Sequence, residues 1–465
     1  MCGSSNTCHR VFIACLLLVA VNSASPTSAQ SEEPSHPNLL VDASGRFVVA
    51  GLTQSLDYAQ PLNDYILGAR VTGWGYTTGR MDARLVADPN HATMQWVARG
   101  RTDMDTIARQ RRVTVQGKGV TTFTANKKLT FDQTGFTGGP ASSSAQSDNW
   151  PRCISAPPLV RGMAWRRVQR QRSEGNQIVA SHAEPLINER LNKDAGAIID
   201  AANEAYRREF REPLLRAGAF PQQMDFSTSG EELKVVILQA AEGQAGAPQA
   251  APPFDLAHDI GIRMHETAFN NLAESLLAGL TLTDEEVRSN VAKFLTMASL
   301  EEYSPSVDAD EKPWSITFSQ RSPITVKFDD GIYTLVIAGE QWESGRRRFR
   351  SQMNVSVSYR IEMAGEKVHL IREEDVLIAP PGFVRGKGRL SPRTLGLRRM
   401  LQRKFDELFP EVIDPEAIVV PGPWENAGPL NVVRMEAEAG WLQMSWRMRS
   451  PQASEVAGES VQVGS

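Results

Sequence analysis

The chain is 465 residues long, about three times the ~150 residues of a typical domain, so two or three domains or one long repeat are expected. Hydrophobic residues make up 41% and charged residues 22%, which excludes a wholly disordered chain and a protein of many membrane spans. The 50 basic and 54 acidic residues leave a net charge of −4, so no general field draws the chain to nucleic acid.

Arg10 is the lone cation ahead of the apolar run 11–21 (VFIACLLLVAV), and small residues follow, closing on Thr27-Ser28-Ala29. This is the pattern of a cleavable secretory signal peptide over 1–29. Eleven helical residues rise only about 16 Å, short of a ~30 Å hydrocarbon core. An uncleaved N-terminal membrane anchor is the alternative. Cleavage after Ala29 would remove Cys2, Cys8 and Cys15 and leave Cys153 alone, so no internal disulfide can form. Loss of Arg10 would also turn −4 into −5. No later run reaches 18 apolar residues, and the rest of the chain is expected to be soluble, either periplasmic or secreted.

Residues 30–37 are polar and small, and 30–45 are expected to be a flexible N-terminus; a first α+β repeat is expected over 46–241. Within it, 46–52 reads as a strand, and 56–67, broken by Pro61, stands where a helix would follow. Gly73, Gly75 and Gly79 superficially resemble a nucleotide fingerprint, but the third glycine comes one residue late and no helix follows, so a glycine-rich bend is expected. Strands are expected at 83–86, 93–99, 112–117, 120–125 and 128–131, then a loop at 139–149. A long basic helical region spans 160–215. It begins with Arg161, Arg166, Arg167, Arg170 and Arg172, interleaved with Trp165 and Val168, a face able to meet lipid headgroups, phosphates or an acidic partner. A solvated face without a partner is the plain alternative. Leu191, Ala195, Ile198, Ala202, Ala205 and Leu214 supply the helix's apolar positions. Met224 and Phe226, a Ser229-Gly230 turn, and Leu233, Val235 and Ile237 form a closing strand pair.

Residues 242–253 (EGQAGAPQAAPP) form a Pro/Gly/Ala linker. A second α+β repeat is expected over 254–449, followed by a disordered tail at 450–465. The repeat opens with an alternating strand at 259–265 and a helix capped by Thr267, with Phe269, Leu272, Ala273, Leu276 and Leu277 as its stripe and Gly279 at its end. A loop at 303–313 precedes strands at 314–318, 324–328, 332–338, 354–363 and 367–378. Val355, Val357, Tyr359, Ile361 and Met363 alternate strictly, as a sheet with one dry face requires. Ser391-Pro392 starts a helix whose stripe is Leu397, Leu401, Phe405 and Leu408, and Pro410 stops it. Val433, Met435 and Ala437, the Ala439-Gly440 turn, and Leu442, Met444, Trp446 and Met448 form the last hairpin.

Both halves therefore read as strand, helix, antiparallel strands, long helix and strand pair, an internal duplication. The fold class is α+β: two similar halves, each a twisted antiparallel sheet packed on a long amphipathic helix. Two unrelated α+β domains are the alternative. A curved sheet with one apolar face needs a cover, and where helix and sheet part, an elongated apolar groove remains. This order resembles the TULIP superfamily of tubular lipid-binding proteins, which includes the bactericidal permeability-increasing proteins and contains tandem copies. The resemblance is one of topology over 46–449. The paired disulfide cysteines of the animal members are absent, and the terminal hairpin and the basic extension 161–190 depart from the pattern. No functional residue carries over.

Several candidates for chemistry have plainer readings. His265-Glu266 would open a zinc-protease helix only with a histidine at 269, where phenylalanine stands. The other histidines beyond the signal, His36, His91, His182, His258 and His369, are scattered. Asp308, Asp310 and Glu311 lack the turn glycine of a calcium loop. Glu373-Glu374-Asp375 and Asp329-Asp330 are adjacent acids, which on a strand face opposite ways and do not make a two-carboxylate site. Cys153 has no base beside it in sequence. Arg346, Arg347, Arg348 and Arg350 cluster near a hairpin tip. Trp424, Trp441 and Trp446 could line a ligand surface or pack a core. No residue pattern calls for a catalytic group, a cofactor or a metal. The functional reading is an exported, non-enzymatic protein that binds an apolar or lipid-like ligand in the cell envelope, with Leu397, Leu401, Phe405 and Leu408 lining the groove. An envelope or surface interaction protein with no pocket is the second class, and a secreted hydrolase whose groups meet only in space is the third.

Overall fold

The computed structural model describes residues 35–254, 258–287, 313–345, 347–365, 367–383, 390–415, 417–418, 420 and 422–449. The signal segment, Asp308, Asp310, Glu311 and the tail 450–465 lie outside them. Among the described residues strands take 50% and helices 27%, and the sheets are antiparallel and curled, so the α+β class holds.

The first strand is β1 (Leu39–Ser44), followed by α1 (Gly45–Leu52). This corrects two expectations: 39–44 is not flexible, and 46–52 is not a strand. Phe47, Val48 and Gly51 are the buried positions, a helical spacing, and Ser44 Oγ accepts the Phe47 N–H at 3.1 Å as an N-cap does. The strands β2 (Gln54–Ile66), β3 (Ala69–Leu85), β4 (Ala92–Gln110), β5 (Val113–Asp132), β6 (Gly135–Gly138) and β7 (Ser142–Ser155) come next. They form one sheet in the order β2-β3-β4-β5-β6, with β7 also on β5. Residues 56–67 are therefore a strand and not a helix. Leu56, Tyr58, Leu62 and Ile66 alternate inward along β2, and β2 pairs only with β3, so the missing N–H of Pro61 is tolerated at the sheet edge. The three short strands expected between 112 and 131 are one twenty-residue strand, β5.

Residues 73–79 do not bend between strands but lie inside β3. A Cβ on Gly73 would stand 2.0 Å from the Asp105 carbonyl oxygen, and one on Gly79 2.3 Å from that of Arg99. The glycines let neighbouring backbones approach where the sheet curls. Residues 142–149 belong to β7 and not to a loop; their alternation is polar, with Ser147 turned inward on Thr121 at 2.7 Å.

Helices α2 (Pro158–Arg170) and α3 (Arg172–Ala205), a π-helical turn (Tyr206–Arg211) and α4 (Glu212–Arg216) follow. On α3 Leu191, Ala195 and Ala205 are buried, while Ile198 is exposed and Ile199 faces the sheet beside Gly138. The hairpin β8 (Gln223–Thr228) and β9 (Glu232–Leu238) buries the five apolar residues expected of it. Residues 242–253 carry no regular element, and Ala247 forms an isolated bridge with His36.

The remaining elements are β10 (Ile260–His265), α5 (Glu266–Leu277), β11 (Thr281–Thr283), β12 (Trp314–Phe318), β13 (Ile324–Asp329), β14 (Ile332–Ser344), β15 (Arg347–Phe349), β16 (Met353–Ala364), β17 (Lys367–Arg372), β18 (Leu377–Ala379), α6 (Pro392–Leu408), β19 (Val412–Ile413), β20 (Leu430–Glu438) and β21 (Trp441–Met448). The cap of α5 is His265 and not Thr267: its Nδ1 accepts the Thr267 N–H at 3.2 Å. The strand expected over 367–378 is two strands, parted by a turn at Glu373-Glu374-Asp375.

By compactness the chain divides into two units. One holds the described residues up to Phe47, Glu204–Phe226 and those from Glu232 onward; the other holds Val48–Asn203 and Ser227–Glu231. In the first, a six-stranded sheet runs β20-β21-β10-β1-β9-β8. Its order reads alike from either edge: a hairpin, then an opening strand that runs into a helix. Asp259 knots this sheet. It accepts Ser44 Oγ at 2.8 Å, Arg46 Nε at 3.0 Å and the Met448 N–H at 2.7 Å. Burial opposes the Asp259 charge, but these donors outweigh it and hold the carboxyl below its ordinary range. A nine-stranded sheet, β11 to β19, is covered by α6. Ser391 caps α6, accepting the Thr394 N–H at 3.1 Å.

Candidate ligand-binding cleft

The second unit is a curled sheet under a long helix, and its burial changes along its length. On β5, the inward residues from Gly119 to Phe131 are buried, whereas Val113, Val115 and Gly117 are only half-buried. The helices change the same way: α2 buries no residue, while α3 buries Leu191 and Ala195. Between the less buried ends lies a cleft of about 450 Å³. The sheet contributes Leu62, Ile66, Val71, Met104, Ala108, Val113 and Val115; the helices contribute Val160, Met163, Ala164, Val168 and Val179. Ligand pockets commonly have this size and apolar lining.

Polar bridges hold the helix over the sheet on both flanks. Toward β2, His182 Nδ1 lies 2.9 Å from Asp64 Oδ2, and the Arg190 guanidinium sits 4.9 Å over the Tyr58 ring. Toward β7, Arg172 donates to the Asn149 carbonyl at 2.7 Å and to Asp148 Oδ1 at 2.6 Å. Farther along, the Ala145 N–H donates to Glu184 Oε1 at 3.0 Å, and Lys127 Nζ donates to Asn192 Oδ1 at 2.8 Å. Burial lowers the Lys127 pKa from its ordinary 10.5, since desolvation disfavours the ammonium. Asn203 makes a paired contact with the Phe136 backbone, at 2.6 and 2.9 Å. The helix is thus fastened at its far end by packing together with polar contacts, and polar clasps flank the cleft.

Of the arginine patch, Arg167 and Arg172 line the cleft, and Arg161, Arg166 and Arg170 stand outside its lining. Leu397, Leu401, Phe405 and Leu408 belong to α6 in the other unit, each at most 1% exposed. There Phe405 packs edge-on against Trp314 at 5.6 Å and Trp342 at 6.1 Å. Trp441 and Trp446 are buried, and Trp424 stacks on Phe47 at 6.2 Å. His265 is buried at a strand end, where desolvation lowers its pKa from 6.5. Cys153 is exposed and free. Asp329-Asp330 falls at a strand end and turn, with Asp330 at φ 49.

Among the described residues, Asp42, Glu232 and His258 bring potential metal-ligand atoms within 4.8 Å of one another. The carboxylates already face cations: Arg263 Nη2 donates to Asp42 Oδ2 at 2.7 Å, and Lys234 Nζ stands 3.7 Å from Asp42 and 3.8 Å from Glu232. A divalent ion would have to displace the Lys234 ammonium, so the group reads as an ion-pair cluster.

Most of the sheet side of the cleft is not legible in the sequence. Leu62 and Ile66 fall in the segment expected to be helical, and Val71 in one with no expected element. The spacing of Leu56, Tyr58, Leu62 and Ile66, all at even-numbered positions along β2, is the signal that could have found Leu62 and Ile66.

No family model and no curated protein matches the chain. Among solved structures, the crystal structure of lipopolysaccharide binding protein aligns with 89% of this chain and 99% of its own, at 10% identity and a TM-score of 0.30. At that score the likeness carries no argument about fold or function. No described helix is long and apolar enough to cross a membrane.

Proposed function

We propose that this protein is an exported, non-enzymatic binder of an apolar, lipid-like ligand in the cell envelope, and that the ligand lies in the cleft between β2–β5 and helices α2 and α3. The observation that carries this reading is the cleft itself, about 450 Å³ and lined mainly by aliphatic side chains. The pattern of residues 1–29 supports export. The order of the six-stranded sheet, the same from either edge, supports an internal duplication across the 242–253 linker. Native mass spectrometry of protein purified from its own host tests the ligand. A co-purifying lipid is expected; protein that is repeatedly empty and takes up no aliphatic chain when offered one would sink the reading. N-terminal sequencing of the mature chain tests export, with Gln30 expected first.

A membrane surface is the partner best suited to α2. Leu159 is 92% and Met163 63% exposed on this helix, on the face shared by Arg166 and Arg170. Apolar and cationic side chains together suit the interface of an anionic bilayer. The protein should sediment with vesicles containing phosphatidylglycerol, less so at high salt, and not with phosphatidylcholine alone. Equal binding to both would remove the arginines from the account.

A further inference from the structure

The shape and charge of the cleft specify its occupant more narrowly. A cavity of about 150 Å³ takes one benzene, so a cleft of about 450 Å³ suits one aliphatic chain better than the two chains of a diacyl lipid. The charged groups of the lining are Asp64, Lys118, Arg167 and Arg172. Three have partners of opposite charge or a ring nitrogen: Asp64 faces His182 at 2.9 Å, Lys118 faces Asp105 at 3.4 Å, and Arg172 faces Asp148 at 2.6 Å. Arg167 donates through Nε to the neutral Gln171 Oε1 at 2.9 Å, and no carboxylate among the described residues pairs with it. Its planar fork matches the two oxygens of a carboxylate or phosphate.

We propose that the cleft takes a single-chain amphiphile with an anionic head, the chain running between Val71, Met104 and Val115 and the helices, and the head resting on Arg167. This rests on the reading that the cleft binds an aliphatic ligand. Isothermal titration of the full chain with dodecanoate, dodecyl phosphate, dodecanol and didodecanoyl phosphatidic acid separates the two claims. Both single-chain anions should bind about tenfold or more tightly than dodecanol, and the two-chain lipid no better than dodecanoate. Arg167→Gln should erase the preference for the anions over dodecanol. Arg167→Lys should keep part of the preference, and Arg166→Gln, on the same helix but outside the lining, should keep all of it. A preference that survives Arg167→Gln, or tighter binding of the two-chain lipid, overturns the proposal while leaving an apolar cleft in place. Failure of all four ligands to bind overturns the cleft reading itself.

Discussion

Asn176 on α3 holds Asn149 on β7 by both of its nitrogens: the Asn149 backbone N–H and Nδ2 each donate to Asn176 Oδ1 at 3.0 Å. Asn176 Nδ2 in turn donates to Asp148 Oδ1 at 3.1 Å. The clasp needs Gly119, because a Cβ there would stand 1.9 Å from Asn149 Oδ1. Both asparagines line the cleft, so the joint that fastens the helix is also part of the cleft wall.

Asn176→Ala removes the acceptor and leaves two half-buried donors unanswered. The expected cost is about 1–3 kcal/mol, read by thermal or denaturant unfolding, together with faster release of dodecanoate in stopped-flow measurements. Release at the wild-type rate from a destabilised variant would show that the clasp holds the fold and does not gate the ligand.

Two glycines should behave oppositely. Gly73→Val forces a side chain against the Asp105 backbone, where nothing can give way, and should destabilise by about 1–3 kcal/mol or more. Gly196 lies in α3 and has open space where a methyl group would stand, with nothing within 4 Å, so Gly196→Ala should stabilise by about 0.5–1 kcal/mol. Equal effects in denaturant titrations would refute the account of the curled sheet.

Stability should fall with acid through His265. Burial lowers its pKa from the ordinary 6.5, so the unfolded chain binds the proton more readily than the folded one. The stabilisation is complete above about pH 6.5 and is lost as the pH drops toward the depressed folded value. Protonation also removes Nδ1 as the acceptor that caps α5. Denaturant midpoints at pH 8 and pH 5.5 should differ more for the wild type than for His265→Asn, which keeps a neutral cap.

Leu401 is fully buried on α6 and outside the cleft lining. Leu401→Ala should cost about 2–5 kcal/mol and leave dodecanoate affinity unchanged in the folded fraction. A loss of affinity at constant stability would place the ligand against α6 instead.

Where the sequence could be read, one face of an element is wholly dry. The α6 stripe, with its Ser391 cap, is such a case, as are the β8–β9 hairpin and Val355, Val357 and Tyr359 on β16; on the β20–β21 hairpin Val433, Met444 and Met448 are only half-buried. A dry face imposes a strict period, and caps and turns act within a few residues. The strands around the cleft are half-buried because they border an open space, and their alternation is weakened by polar residues and by Pro61. Gly73, Gly75 and Gly79 look like a bend for the same reason that they serve a curled strand: without a Cβ, a residue can either turn or let another backbone come close.

By itself, the sequence determined the α+β class, the Ser391 cap and the dry stripes of α6 and β16, since caps and stripes arise from interactions within a few residues. Only the tertiary structure decided that Arg167 stands beside an aliphatic cleft, that His182 meets Asp64, and that the α6 stripe packs on tryptophans. Those relationships join residues far apart in the chain, and the curl of a sheet that brings them together leaves no local period to read.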